Sequence, residues 1–331
     1  MSGKKTARPS GQVHGVLLVD KPSGMTSFDV VAQARRVFGT RRVGHAGTLD
    51  PMATGVLVIL LGEATKLSNI LTTDKKAYVT KIALGATTNT LDLDGQITRR
   101  VPLTVPLTQE RLEKALELER ARRDQIPPQV SAIKVDGKRA YDQARKGVEL
   151  DLAPRPVRVH ELQLLGFTSE FIELSLTVSK GYYVRSLGRD LADSLGTVGH
   201  LVSLRRTQSG PFLEHETHPL PLTRQLPLLS LEQAAALCLP ILRLTEQGAL
   251  HVQQGKRLRQ DDIVSTQAAE WPHAMASVNT YAAFLGETMI ALVEPAGDQE
   301  YRVRRGLSNT PAGRDESERD ESEHDGSVEL A

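Results

Sequence analysis

One carboxylate stands out in the segment HAGTLDPMATG, residues 45–55, which precedes the apolar run at 56–61. Two interpretations fit Asp50. An Asp-Pro pair is a common turn, because aspartate accepts local backbone hydrogen bonds and the residue before proline prefers extended backbone. A carboxylate on such a loop can also act as a nucleophile if a cation keeps it charged. Composition favours the turn, and the sequence at this point leaves both interpretations open.

Two further side chains could take part in chemistry. Arg185 lies in SKGYYVRSLGRDL, at the start of a predicted helix. The helix dipole disfavours a cation in the first turn, so this position indicates a specific acceptor for the guanidinium. Tyr78 belongs to a predicted strand, where a tyrosine is more often half-buried packing than a stacking surface.

Several common site types find no support. Three glycines flank Asp50, but no Gly-Lys-Ser/Thr follows, as a phosphate-binding loop requires. The stretch TNTLDLDG is similar to part of a calcium loop, yet Thr90 would occupy position one and Val101 position twelve. No Gly-x-Ser-x-Gly elbow is present. A single cysteine, Cys238, excludes an internal disulfide framework and argues against structural zinc.

Composition and charge narrow the class of protein. The chain has 331 residues, 40% hydrophobic and 24% charged, which is ordinary for a soluble protein of one large or two domains. It contains no apolar run long enough to span a bilayer and no secretory signal, so we expect a cytoplasmic protein without a membrane partner. Residues 307–331 carry eight acidic residues against two arginines, a charge of −6, which leaves about +7 for residues 1–306. A basic body favours a polyanionic partner but does not prove one.

Hydrophobic periodicity predicts the elements that must hold these residues. Predicted strands lie near 16–19, 56–61, 78–84, 130–135, 157–167 and 171–178. Predicted helices begin at a Ser27 cap, around Lys66, and near 109–121, 183–195 and 231–237. The strands do not alternate regularly with helices, so the sequence predicts an α+β fold with a mixed, largely antiparallel sheet and flanking helices.

The two ends of the chain differ from this main body. Short strands with Gly-rich turns recur over 241–307 and predict a small β module, after a proline-rich connector at 215–230. Residues 308–331 are acidic and of low complexity, and residues 1–12 are basic and polar. We expect both tails to be disordered.

A set of motifs extends over much of the chain. They are GVLLVDKPSGMTS, RRVGHAGTLDPMATGVLVILLGEATKL, KAYVTKIALG, LDLDGQI, IPPQVSAIKVDGKRAYDQARKGVEL, RPVRVHEL, VSKGYYVRSLGRDL and LRRTQSGPF. In this order, from about residue 13 to 212, they closely resemble the TruB family of tRNA pseudouridine synthases. Because several long motifs recur at compatible spacing, the resemblance is specific.

The resemblance implies a reaction and two central residues. Pseudouridine formation breaks the C1′–N1 bond of a uridine, rotates the uracil and rejoins it through C5, without a metal, nucleotide or redox cofactor. The family's nucleophile falls on Asp50, in the pattern Gly47-Thr48-Leu49-Asp50-Pro51. Its matching arginine is Arg185, which could pair bidentately with Asp50 and hold it charged and oriented.

The resemblance also implies how RNA is held. The substrate would be uridine 55 in the T loop of tRNA, flipped out of its stack at a cost of a few kcal/mol. Tyr78 matches the tyrosine that stacks on the flipped base, and a proton-transfer role for it is conceivable. Tyr183 and Leu204 match residues of the pocket, and His45 matches a histidine inserted where the base had been. We expect phosphate contacts from Lys21, Lys66, Arg41, Arg42, Arg205 and Arg206.

The implied domains are a catalytic domain at 13–238 and an RNA-binding domain of PUA type at 239–307. Two departures from the family pattern concern the RNA-binding insertion rather than the reaction. Asn89 replaces the usual acid between two threonines, and LELERARRD stands where a Phe-x-Gly element is common. The acidic tail lies outside the family core. Its role is either to solubilise the protein or to inhibit it by mimicking RNA.

The sequence is compatible with three alternative functions. The first is a monomeric synthase that modifies tRNA without a guide RNA. The second is a non-catalytic protein that folds tRNA, which the intact Asp50, Tyr78 and Arg185 disfavour. The third is a guide-RNA-dependent relative, which the lack of long added segments before residue 13 disfavours.

Overall fold

We analysed a computed structural model of the chain. It describes residues 13–72, 75–131, 134–135, 138–139, 150–271, 279–297 and 299–307. The tails at 1–12 and 308–331, which the sequence predicts to be disordered, lie outside these residues. Within the described part, no helix is long and apolar enough to cross a membrane.

The described residues form six α-helices and nineteen strands. The helices are α1 (Ser27–Phe38), α2 (Ser68–Leu71), α3 (Gln109–Arg120), α4 (Val184–Ser194), α5 (Leu231–Cys238) and α6 (Glu246–Gln253). The first ten strands are β1 (Gly15–Lys21), β2 (Val43–Ala46), β3 (Thr54–Leu61), β4 (Lys75–Leu84), β5 (Ala86–Thr88), β6 (Ile97–Arg100), β7 (Asp124–Gln125), β8 (Lys134–Val135), β9 (Lys138–Arg139) and β10 (Arg155–Pro156). The others are β11 (Val159–Phe167), β12 (Phe171–Ser179), β13 (Gly199–Ser209), β14 (Phe212–Leu213), β15 (Ile241–Leu244), β16 (Ile263–Gln267), β17 (Tyr281–Leu285), β18 (Thr288–Pro295) and β19 (Tyr301–Gly306).

The main sheet has the strand order β1-β3-β13-β4-β12-β11, with β2 added to β3 and β14 to β13. All its pairings are antiparallel except that of β13 with β3, where Arg205 faces Thr54. On β12 the buried positions alternate, and Ile172, Leu174 and Leu176 point into the core. This confirms the predicted α+β class with a mixed, largely antiparallel sheet.

Strand β3 is buried along nearly its whole length because both of its faces are covered. Leu57 and Ile59 join the core under α1 and α4, whereas Val58 and Leu60 join a second core. That second core also includes α5 and apolar residues of a five-stranded sheet, β16-β15-β17-β18-β19. The β module predicted after residue 240 is therefore present as this sheet, and it packs against the main body.

Helix α1 begins one residue earlier than predicted. Its cap is Thr26, whose hydroxyl accepts from the Asp29 amide at 3.1 Å, while the Asp29 carboxylate accepts from the Thr26 amide at 2.8 Å. This reciprocal arrangement is a capping box and satisfies two backbone donors. The prediction of Ser27 as the cap was wrong, because Ser27 is buried and its hydroxyl bonds to Leu49 instead.

The strand predicted at 130–135 is only partly present. Residues 130–131 form a bend, and the strand at Lys134–Val135 pairs with Lys138–Arg139 in a hairpin. The preceding Gln129 explains the difference. Its side-chain amide bonds to both the amide and the carbonyl of Leu150, at 3.0 and 2.8 Å, so this part of the chain is tied to a neighbouring loop instead of a sheet.

Gly55 offers a test of how closely β3 and β13 approach. Its φ is +97°, and a Cβ atom there would overlap the backbone oxygen of Arg206. We expect Gly55→Ala to lower the free energy of unfolding by about 3 kcal/mol or more, from strain plus overlap. Gly24→Ala is the matched control, because Gly24 has a φ of +83° but open space around it, so only about 1 kcal/mol should be lost. Equal losses in urea unfolding would contradict this account.

Candidate active site

Residues 47–53, the Asp50 loop, contain a turn at Asp50, as the composition of this segment predicts. The Asp50 carbonyl accepts from the Ala53 amide at 3.1 Å, with Pro51 at the second turn position, where its fixed φ is favourable. Gly47 precedes the turn with a φ of +91°, a conformation that L side chains rarely adopt. The loop connects β2 to β3, so the main sheet holds it at both ends.

Lys21 is fully buried beneath this loop. Its ammonium donates to the carbonyls of Pro22, Met25 and Pro51 at 2.9, 2.7 and 3.1 Å. Burial lowers the pKa of Lys21 to about 8, although the nearby Asp50 carboxylate acts in the opposite direction. Because its three donors are used inside the protein, the prediction that Lys21 contacts phosphate was wrong, and the residue instead anchors the Asp50 loop.

Arg206 has the same structural role from the other side. It is buried, and it donates from Nε to the Val56 carbonyl at 2.7 Å and from Nη2 to the Gly47 carbonyl at 3.0 Å. Its neighbour Arg205 is partly exposed but donates twice to Asp20, at 3.0 and 3.1 Å. The predicted phosphate contact is wrong for Arg206 because the side chain is inaccessible, and the ion pair of Arg205 competes with any contact to RNA.

The remaining basic candidates differ in accessibility. Lys66 lies on the 3-10 helix Gly62–Leu67, mostly buried, with its ammonium 2.7 Å from Glu63 and donating to the Gly306 carbonyl at 2.9 Å. Arg42 is half-exposed and also pairs with Glu63, at 2.7 Å. Arg41 is exposed, and it forms no ion pair with any of the described residues. Lys66 is therefore poorly placed for a phosphate, whereas Arg41 is accessible to solvent.

Asp50 and Arg185 form a bidentate pair. Arg185 donates from Nε to Oδ2 of Asp50 at 2.9 Å and from Nη2 to Oδ1 at 3.2 Å. The Arg185 side chain is only 6% exposed, whereas that of Asp50 is 34% exposed. The specific acceptor that the sequence predicts for Arg185 is therefore Asp50, whose carboxylate is oriented by a buried cation yet remains accessible.

The position of Arg185 is fixed by the start of α4. Tyr183 precedes the helix, and both its backbone groups bond to the Gln125 side chain, the amide at 2.8 Å and the carbonyl at 3.1 Å. Ser186 in the first turn donates to the Ile126 carbonyl at 2.8 Å. Strand β7 thus holds the helix terminus in place of an ordinary side-chain cap, and Arg185 projects from a rigid element.

Asp92 is a second acid beside Arg185 that sequence reasoning missed. It is buried, with Oδ2 3.6 Å from Nη1 of Arg185, which also donates to the Thr90 carbonyl at 2.9 Å. The Asp94 amide donates to Oδ1 of Asp92 at 3.2 Å. The sequence feature that could have identified Asp92 is the stretch TNTLDLDG. Its acids have the spacing of a calcium loop, but in the structure the Asp92 carboxylate lies against an arginine.

A cavity of about 260 Å³ opens at the Asp50–Arg185 pair. It is slightly smaller than the pockets that hold drug-sized ligands, and so suits a small group such as a single nucleoside. Five residues predicted for the site meet in its wall, and Leu49 and Tyr182 lie among the other lining residues. These five are Asp50, Tyr78, Tyr183, Arg185 and Leu204. The arrangement places a carboxylate beside flat and apolar surfaces.

The tyrosines of the cavity keep their protons at neutral pH. Burial raises the pKa of Tyr78, although the Arg206 guanidinium acts against this, and burial also raises the pKa of Tyr183. Tyr182, which the sequence did not identify, has its pKa raised in the same way. Each hydroxyl therefore remains protonated and able to donate a hydrogen bond, and burial makes Tyr78 a weaker acid than a free tyrosine.

His45 lies on β2 and is not part of the cavity wall. Its imidazole makes an edge contact with the Phe28 ring, with centroids 6.0 Å apart and planes at 85°. Burial, and secondarily the Arg206 guanidinium, lowers the pKa of His45. The ring is therefore neutral at pH 7.

The lowered pKa of His45 makes stability depend on pH. Between the folded pKa and the ordinary value of about 6.5, the unfolded chain takes up a proton that the folded chain resists, so stability falls as the pH drops. We expect His45→Gln to lose less free energy of unfolding than the wild type when the pH is lowered from about 7.5 to about 5.5. Urea unfolding at both pH values measures this, and identical losses would contradict it.

Among the described residues, no three His, Cys, Asp or Glu side chains lie close enough together to hold a metal ion. The cavity instead combines an acid, a cation, aromatic rings and an aliphatic side chain. Such a set can bind a flat ring and hold a carboxylate against the atoms attached to it.

Two family models match consecutive parts of the chain. The model described as TruB family pseudouridylate synthase (N terminal domain) covers residues 35–184. The model described as tRNA pseudouridylate synthase B C-terminal domain covers residues 185–224. All five residues named in the cavity wall fall within these two regions.

Several similar proteins bear the name tRNA pseudouridine synthase B. One from Mycobacterium sp. strain KMS is 44% identical over 264 residues, covering 78% of this chain and 89% of the relative. One from Corynebacterium aurimucosum is 45% identical over 266 residues with the same coverage.

Solved structures share the fold. One is an H/ACA ribonucleoprotein bound to a substrate RNA containing 2′-deoxyuridine, with a TM-score of 0.64, 21% identity, and coverage of 88% of this chain and 84% of that one. Another is a Cbf5-Nop10-Gar1 complex, with a TM-score of 0.64, 23% identity, and coverage of 86% and 79%. At this identity the structures establish the architecture alone. The family models and the sequence relatives, which are far more similar, show that the chain belongs to the TruB family of pseudouridylate synthases.

Proposed function

We propose that this enzyme converts uridine 55 in the T loop of tRNA to pseudouridine, without a guide RNA. The observation that carries the proposal is the bidentate Asp50–Arg185 pair in the wall of a cavity that suits a single nucleoside. The name of the similar proteins, tRNA pseudouridine synthase B, supports tRNA as the substrate class.

Asp50 is the catalytic group in this proposal. The C1′–N1 bond of the uridine breaks, the carboxylate stabilises or traps the electron-poor ribose, and the uracil rotates until C5 faces C1′. The C1′–C5 bond then forms, C5 loses its proton to a base, and N1 takes up a proton in place of its lost bond to C1′. The atoms of substrate and product are the same, so the reaction has no net redox change and no transferred group. Arg185 keeps the carboxylate aimed at the sugar throughout.

The cavity wall holds the base while it turns. Tyr78 stacks on the extruded uracil, which offsets part of the cost of removing it from the RNA, since base-aromatic stacking contributes about 1–3 kcal/mol. Leu204 and Tyr183 cover the apolar side and exclude water. Burial raises the pKa of Tyr78, so its hydroxyl stays protonated and can donate a hydrogen bond to the uracil but cannot itself take up the C5 proton.

The remaining surface binds the RNA outside the cavity. His45, beside the Asp50 loop, occupies the space that the extruded base leaves in the T loop. Arg41 contributes a phosphate contact. We assign residues 13–238 to a catalytic domain and 239–307 to a PUA-type RNA-binding domain, and we propose a monomer, with one tRNA bound per chain.

The test incubates the purified protein alone with an unmodified tRNA transcript and maps pseudouridine at single-nucleotide resolution. A transcript with cytidine at position 55 is the matched control. We expect one pseudouridine, at position 55, and none in the control transcript. No product, product only at other positions, or a requirement for an added guide RNA would refute the proposal.

A further inference from the structure

Phe28 is the most exposed large hydrophobic side chain of the described residues, at 67%. It lies in the first turn of α1, whose buried face is formed by other residues, among them Val30, Val31 and Ala34. The packing of α1 against the protein core therefore does not involve the Phe28 side chain. Covering an exposed ring of this kind with a ligand removes apolar surface from water and is favourable.

The position of Phe28 is tied to the candidate active site. Its neighbour Ser27 accepts from the Leu49 amide at 2.9 Å and donates to the Leu49 carbonyl at 3.1 Å, and Leu49 immediately precedes Asp50. The Phe28 ring also makes its edge contact with His45. Phe28 and His45 thus form a pair of rings beside the Asp50 loop, one from α1 and one from β2.

We propose that Phe28 is a nucleobase-stacking residue at the rim of the site, which covers a base next to the extruded uridine. This inference rests on the proposed function. Removing one base from a stack leaves the faces of its neighbours uncovered, and a ring at the cavity rim restores the lost contact. Any base can stack on a phenyl ring, so the contact adds affinity without sequence selectivity.

The charges near Phe28 favour a base over a phosphate. Asp29 is the next residue, and its carboxylate accepts from both the amide and the hydroxyl of Thr26, at 2.8 and 2.7 Å. These hydrogen bonds lower the pKa of Asp29, so the residue next to Phe28 in the first turn of α1 carries a full negative charge at neutral pH. A phosphate would be repelled there, whereas the uncharged face of a base would not.

Phe28→Ala tests the proposal through the affinity for a T-arm RNA hairpin. We expect the Kd to rise about tenfold, within the range that loss of one base-aromatic stack produces. The single-turnover rate at saturating RNA should stay within about twofold, because Phe28 is outside the cavity wall. Phe28→Tyr should keep the wild-type Kd. Leu118→Ala is the matched control, because Leu118 is an equally exposed apolar residue, at 64%, on α3. An unchanged Kd in Phe28→Ala would overturn the inference.

A second experiment separates stacking from support of His45. Phe28→Ala should still weaken binding in a His45→Ala background, and no effect there would mean that Phe28 only positions His45. In addition, the tryptophan of Phe28→Trp should be quenched by saturating hairpin RNA, beyond the change shown by Trp271 in the wild type. Leu118→Trp should show no such quenching, and quenching in neither variant would overturn the inference.

Failure of the inference is distinguishable from failure of the proposed function. Pseudouridine formation by the wild type on the same hairpin is measured first. Product formation with an unchanged Kd in Phe28→Ala rejects the stacking role alone. Absence of product on both this hairpin and the full tRNA transcript rejects the proposed function, while the binding and quenching measurements still decide whether Phe28 contacts a base.

Discussion

Asp50→Asn is expected to abolish pseudouridine formation, to below about one thousandth of the wild-type rate, while RNA still binds. Asparagine has nearly the same shape, so the turn and the cavity persist. It lacks the negative charge that, in the proposed mechanism, stabilises or traps the ribose. The Arg185 guanidinium keeps its bond to the Thr90 carbonyl and its proximity to Asp92, so the substitution does not leave a buried cation unpaired.

Asp20→Asn is a matched control for this prediction. The Asp20 side chain is also 34% exposed, and it is also paired bidentately with an arginine, Arg205, but it is not part of the cavity wall. We expect its single-turnover rate to stay within about twofold of the wild type, as for a surface ion pair. The measurement is pseudouridine formed in a single turnover with enzyme in excess over tRNA. Equal product from wild type and Asp50→Asn would refute the role of Asp50.

Local pattern was sufficient for the main elements and for the turn at Asp50. The apolar run at 56–61 lies in a strand, and the Asp-Pro pair does form a turn. The catalytic role proposed for Asp50 was not contained in that pattern and came from the resemblance of whole motifs. The turn and the catalytic interpretation were therefore compatible from the start, because a fixed loop is what a positioned carboxylate needs.

Tertiary context explains the wrong predictions. Basic side chains are mostly exposed, so Lys21 and Arg206 were expected to contact phosphate. The Asp50 loop instead leaves carbonyls of Pro51 and Gly47 inside the protein, and buried carbonyls need donors. No local pattern identifies which lysine or arginine will supply them. Asp92 escaped for the same reason, because its partner lies far along the chain.

One error was avoidable from local pattern. Thr26 and Asp29 have the spacing of a capping box, in which the first residue is the cap. Reading that spacing would have placed the helix start correctly. It would also have left Ser27 free to bond to Leu49, and these hydrogen bonds tie α1 to the Asp50 loop.

Arg185→Lys should separate the charge of Arg185 from its geometry. Lysine preserves the positive charge beside Asp50 but offers a point charge in place of a planar fork. It cannot donate to both oxygens of Asp50 and to the Thr90 carbonyl in the present arrangement. We expect the single-turnover rate to fall about a hundredfold, the effect of a reacting group misplaced by about 1 Å, with the Kd for tRNA within about threefold. Arg189→Lys, on the same helix but paired with Asp190, should stay near the wild-type rate.

A variant of Asp92 tests whether this buried carboxylate helps to hold the Arg185 guanidinium in position. Asp92 lies close to Arg185 but is not part of the cavity wall. We therefore expect Asp92→Asn to lower the single-turnover rate and to leave the Kd for tRNA unchanged. If Asp92 acts only by holding the Arg185 guanidinium, the effects of Asp92→Asn and Arg185→Lys will be less than additive in the double variant. Additive losses would mean that Asp92 acts independently of Arg185. A fully active Arg185→Lys variant would mean that positive charge alone is sufficient and that the bidentate fork does not position Asp50.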